Sequence, residues 1–163
     1  MPKITAHAMV RYAERIKHIR VKDHNVNNIN TRFKERYIKE INKMYQFSRL
    51  IYSGVCRDYK KSNFRLANDI ILILDTQEKN IITLFRVDFG LLKEQNKEMK
   101  NDILCKLESE QSEIINIENI ISNDKFNHSI LEQKRQFHIK EYSKLAESIC
   151  YSVDSRVKRK ASL

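Results

Sequence analysis

Residues 70 to 74 read IILIL, five apolar side chains in succession. In an extended chain neighbouring side chains point to opposite faces. Ile70, Leu72 and Leu74 therefore share one face and Ile71 and Ile73 the other. A strand that is apolar on both faces is predicted to be buried on both, so it needs sheet neighbours and a further layer to cover it. The run NFRLANDIILILD reads as one strand-forming segment, joined by the polar TQEK to NIITLFRVDF, which is rich in β-branched and aromatic residues. Together they predict an antiparallel hairpin, with FSRLIYSGV as a further strand ahead of it.

Helical spacing precedes this sheet. Thr5 is placed to cap a helix starting near Ile4, in which Ala8, Tyr12, Ile16 and Ile19 form an apolar stripe. VKDHNVNN reads as a connection, and a longer helix follows from about Asn28 through Phe33, Tyr37, Ile41, Met44 and Tyr45. Residues 1–90 are thus predicted to be an α+β unit, two N-terminal helices on a small antiparallel sheet. After Gly90 the apolar residues Leu92, Met99, Ile103, Leu107, Ile114, Ile117 and Ile121 recur at helical spacing. Beyond SNDKFNH the pattern resumes with Ile130, Phe137, Leu145, Ile149, Val153 and Val157. Residues 91–163 are read as a long C-terminal helical hairpin with a frayed tail, RVKRKASL. A hairpin this long leaves an apolar edge to cover, which predicts a homo-oligomer through residues 91–157.

Charge narrows the partners. The 31 Lys and Arg against 21 Asp and Glu give a net of +10. Residues 1–90 hold 18 of the former and 9 of the latter, so nearly the whole excess is theirs. Such a surface favours a polyanion, with salt-sensitive binding. No apolar run approaches the roughly twenty residues that span a bilayer, and the N-terminus lacks signal-peptide grammar. Cys56, Cys105 and Cys150 form no CxxC pair or Cys/His cluster, and His128 and His138 stand ten apart. A reduced, cytoplasmic protein with no metal and no cofactor is expected. Walker, GxSxG and dinucleotide motifs are absent.

Two groups carry candidate chemistry. His7, Arg11 and Arg15 recur every four residues and would stand in one row on a helix, about 100° from its apolar stripe. A neutral imidazole can take a proton from a ribose 2′-hydroxyl while guanidinium groups hold the phosphate. Spacing alone favours a plainer reading, the wet face of an amphipathic helix. The second group is RDYKKSNFR, where Arg57, Lys60, Lys61 and Arg65 can neutralise phosphates and Tyr59 or Phe64 can stack a base. A charged loop between strands accounts for it equally well.

HAMVRYAERI, followed after a second helix by IILILDT and IITLFRVDF, resembles small phage and plasmid proteins carrying H-x-x-x-R-x-x-E-R near the N-terminus. These are similar to the RelE and BrnT class of toxins and to the phage endoribonuclease RegB. The resemblance covers residues 4–90 and implies two helices against an antiparallel sheet. It further implies that His7 is a catalytic or phosphate-binding histidine, that Arg11 and Arg15 are the helix arginines, and that Thr83 is the threonine of the final strand. Arg86 joins them by position, one step from the core face of that strand. A member of this class would cleave RNA without metal, leaving a 2′,3′-cyclic phosphate. The other function compatible with the sequence is that of a non-catalytic phage anti-defence inhibitor, like an anti-CRISPR protein by analogy. It would bind a host nuclease or ribonucleoprotein through its basic N-terminal part and helical arm.

Overall fold

The computed structural model describes residues 1–56, 59–123 and 127–151. Its elements fall into two compact units, one built on Met1–Gly90 and the other on Leu91–Ile149. The architecture is α+β, with short N-terminal helices on a five-stranded sheet followed by two long C-terminal helices.

In the first unit the order is β1 (Lys3–Ile4), α1 (Ala6–Arg11), α2 (Thr31–Phe47), β2 (Arg49–Cys56), β3 (Tyr59–Ala67), β4 (Ile70–Leu74) and β5 (Asn80–Arg86). The sheet order is β1-β5-β4-β3-β2. Four strands are antiparallel, but β1 runs parallel to β5, pairing Lys3 with Asn80 and Ile4 with Ile81, so the sheet is mixed. IILIL is the central strand β4, and all five of its residues are buried.

The segment read as one strand from Asn63 to Asp75 is two. The chain turns at Asn68 and Asp69, with Asn68 in the left-handed region at φ 53°. Asn tolerates that conformation because its short polar side chain bonds locally. Ala67 then pairs with Ile70 across the turn. RDYKKSNFR is accordingly no loop over Tyr59–Arg65, which lies within β3. Between β4 and β5 the register shifts after Ile73, which pairs with Thr83 while Leu74 pairs with Ile81, leaving Ile82 of β5 as the extra residue. The extra residue lets both Ile81 and Leu84 face the helices, where they join Ala8, Val10, Tyr12, Ile41 and Leu72 in one core.

Thr5 ties the first helix to that irregularity. Its side chain accepts from the Ala8 N–H at 3.1 Å as the N-cap of α1. Its hydroxyl in turn lies 3.0 Å from both the Ile81 and the Ile82 carbonyl oxygens. The α-helix ends at Arg11 and continues as a π-helical turn, Tyr12–Ile16, closed by Lys17 N–H donating to the Tyr12 carbonyl at 3.1 Å. Helical structure therefore ends before Ile19, which is exposed. The second helix begins at Thr31 and not near Asn28, with Asn30 accepting from Arg32 N–H at 2.9 Å as its cap.

The second unit holds α3 (Lys93–Asn123) and α4 (His128–Cys150). Arg135 donates to Glu118 at 2.8 Å, and His138 Nδ1 lies 2.7 Å from Glu110, pairs that fit an antiparallel helical hairpin. Part of the turn SNDKFNH, together with Val153 and Val157, lies outside the described residues. No described helix is long and apolar enough to cross a membrane.

Replacing Thr5 by Ala removes the cap and leaves the Ile81 and Ile82 carbonyls without their side-chain donor. Urea unfolding should show a loss of about 1–2 kcal/mol, with Thr5→Ser close to wild type.

Candidate nucleic-acid interface

The row His7, Arg11, Arg15 does not form a uniform wet face. His7 is exposed on α1, whereas Arg11 is half-buried and its guanidinium donates to Glu14 at 2.8 Å. Arg15 is only 8 % exposed, and its Nη1 donates to the Leu84 carbonyl at 2.9 Å. The π turn explains the divergence. Arg15 lies in that turn, which winds more slowly than an α-helix, so its side chain leaves the direction that α-helical spacing predicts and meets the β5 backbone at Leu84.

Thr83 and Arg86 do not complete this row. Thr83 pairs with Ile73, on the face opposite the helix-packed Leu72 and Leu84. It is fully buried, and its hydroxyl has no hydrogen-bond partner among the described residues. The pleat therefore separates Thr83 from helix one, and burial withholds it from any ligand. Arg86 is half-exposed at the end of β5 and pairs with Asp69 at 2.9 Å. Of the five residues, His7 and Arg86 present their side chains most openly.

The basic and aromatic group on β3 divides in the same way. Arg57 and the side chain of Tyr59 lie outside the described residues. Lys60 and Lys61 are exposed. Phe64 is completely buried and meets the Tyr52 ring edge-on at 5.6 Å, so it offers no face to a base. Arg65 is committed internally. It donates to the Ser48 hydroxyl at 2.9 Å and the Ser48 carbonyl at 2.8 Å, reaches both Glu78 oxygens at 3.1 Å, and stacks 5.0 Å over Tyr45. Asn63 and the Tyr45 hydroxyl complete the Glu78 cluster. Burial raises the Glu78 carboxyl, but hydrogen bonds from Tyr45, Arg65 and Asn63 outweigh it and hold the group below the usual carboxylate range.

A more open cationic surface lies on α2 and was not singled out from the sequence. Arg32, Arg36, Lys39 and Lys43 are all exposed, and at 100° per residue they fall within an arc of about 60°. Over eleven residues they span about 16 Å. Glu35 and Glu40 flank the row on opposite sides. Arg36 pairs with Glu40 at 3.0 Å, the one ion pair in the row among the described residues. The signal was present as the spacing four, three, four. It was obscured because Tyr37 and Ile41 carry the stronger apolar pattern of the same helix.

One flank of α2, beside the row, is fixed to helix one by Glu40. This carboxylate accepts from the Tyr12 hydroxyl and pairs with Lys17 at 2.9 Å as well as with Arg36. Tyr12 packs edge-on against Tyr37, with ring centroids 5.1 Å apart. Burial alone would raise the Glu40 carboxyl; the bonds from Tyr12, Lys17 and Arg36 together hold it at about 2. Burial, then the bond to Glu40, pushes the Tyr12 phenol upward.

Among the described residues no three His, Cys, Asp or Glu side chains are grouped so as to hold a metal ion. No family model, no curated protein and no solved structure matches this chain.

Because the Glu40 pKa is depressed in the folded state, its contribution is complete above about pH 4.5 and is lost as pH falls toward about 2. Glu40→Gln should lower the melting temperature at pH 7 and flatten its fall across that window, as followed by circular dichroism.

Proposed function

We propose that this protein binds RNA through its N-terminal unit, by the exposed face of α2, without cleaving it. The observation that carries the reading is the row Arg32, Arg36, Lys39, Lys43. Among the described residues only Arg36 of the four is ion-paired, to Glu40, so pairing within the helix does not account for the other three. Cations of like sign at i,i+4, as in Arg32 and Arg36 or Lys39 and Lys43, repel each other. Arg32 also stands in the first turn, where the helix dipole favours a negative charge and no acid is present. A polyanion satisfies such a row, and the +9 of residues 1–90 adds long-range attraction.

Binding without cleavage is supported by the dispersal of the groups that metal-independent cleavage would need. Arg15 is held on Leu84, and Thr83 faces the other side of the sheet. We retain the RelE-like ancestry of residues 4–90 as part of this proposal, with RNA affinity kept and the catalytic row turned to structural use. The two long helices are proposed to self-associate. Ile115 and Ile120 on α3 and Ile130 and Phe137 on α4 are exposed apolar side chains suited to a second copy. Light scattering on the purified chain is expected to give a mass above the 19.5 kDa protomer, falling to it in Ile130→Ser with Phe137→Ser.

The binding test is a salt titration with labelled RNA. Neutralising Arg32, Lys39 and Lys43 to Gln should weaken binding about ten-fold or more and reduce the slope of log K against log salt by about 2. Its melting temperature should hold or rise, since repulsion is relieved. Lys97→Gln with Lys140→Gln, on the helical unit, should leave affinity unchanged. The RNA should remain intact, as judged by gel. A charge-neutralised α2 that bound as tightly as wild type would end this reading.

A further inference from the structure

Phe47 is the last residue of α2 and is 78 % exposed, the most exposed of the large hydrophobic side chains described. It lies four residues beyond Lys43, so the two are neighbours on one helix face, with the ring closing the C-terminal end of the cationic row. Its position is set from below. Ser48 leaves the helix in an extended conformation, and its N–H and hydroxyl both donate to the Tyr45 carbonyl, at 3.1 and 2.7 Å. Arg65 then clamps Ser48 through two further bonds. The backbone under Phe47 is thus anchored while its side chain is left in solvent.

We infer that Phe47 is a stacking platform for one unpaired base, and that the α2 row with Phe47 selects single-stranded over double-stranded RNA. This deepens the proposed RNA-binding reading and rests on it. Every base has a π-face, so a ring beside a phosphate-binding row reads single strands regardless of sequence. A duplex keeps its bases stacked inside and has none to offer except at its ends. It can therefore use the four cations but not the ring. An anionic membrane is the less fitting occupant, because a helix lying in a lipid interface buries a broad apolar face. Here Phe47 stands at the end of a row of charges, and the other exposed apolar residues of α2, Phe33 and Ile38, point about 100° and about 120° away from Arg32 to opposite sides, so the three form no single apolar face.

The experiment measures affinity of the full chain by fluorescence anisotropy for a single-stranded RNA of about 12 nucleotides. A blunt duplex of the same sequence and vesicles containing phosphatidylserine are tested at the same salt. Wild type is expected to prefer the single strand. Phe47→Ala should weaken that binding at least five-fold, leave duplex binding unchanged and melt like wild type, while Phe47→Trp restores affinity. If Phe47→Ala binds the single strand as tightly as wild type while neutralisation of Arg32, Lys39 and Lys43 still weakens binding, the platform is refuted and the RNA-binding reading stands. If neither RNA binds, both fall. Binding to vesicles alone, lost in Phe47→Ala, would assign the surface to a membrane and overturn the inference.

Discussion

The first unit depends on how the outer edge of β5 is closed. Its neighbour on that side, β1, is two residues long and pairs only with Asn80 and Ile81. Backbone carbonyls beyond it still need donors if they are to leave water. Two side chains from the first helix supply them. The Thr5 hydroxyl meets Ile81 and Ile82, and the Arg15 guanidinium meets Leu84. A sheet edge is thereby finished by a helix, and the same bonds fix where that helix lies.

Further positions follow from this attachment. With helix one docked, Tyr12 is buried and aims its hydroxyl at Glu40, which also holds Lys17 and Arg36. That cluster fixes one flank of α2, and the Tyr12–Tyr37 contact fixes its inner side. At its far end Arg65 joins Ser48 to Glu78 in the β4–β5 turn. Held at both ends, α2 has one face left for solvent, and on it stand Arg32, Arg36, Lys39 and Lys43. The basic residues thus separate by role. Arg15 and Arg65 serve the interior, the first on the Leu84 carbonyl and the second through several hydrogen bonds to Ser48 and Glu78 that compensate a charge partly taken from water. The α2 row keeps its charge outside, where it can act on a ligand at a distance.

Much of the fold was legible in the sequence because periodicity reports burial. IILIL announced a strand covered on both faces, Thr5 announced a helix start, and the spacing beyond Gly90 announced paired helices. The Asn68–Asp69 turn was harder to read, because apolar residues on both sides masked a two-residue reversal lacking glycine. The parallel pairing of β1 had no local signal at all, since two residues carry no period.

Composition and order alone determined the α+β class, the helical hairpin and the concentration of positive charge in residues 1–90, since each is a sum or a period along the chain. Tertiary structure decided which charges remain outside. His7, Arg11 and Arg15 are equivalent by spacing, yet a π turn and a bare sheet edge leave the first exposed, pair the second with Glu14 and bury the third. Phe64 and Phe47 are both aromatic residues near basic ones, but Phe64 lies inside the sheet and Phe47 at a helix end in water. Whether a side chain is available to a ligand depends on what packs over it, and the residues that do so are distant in sequence.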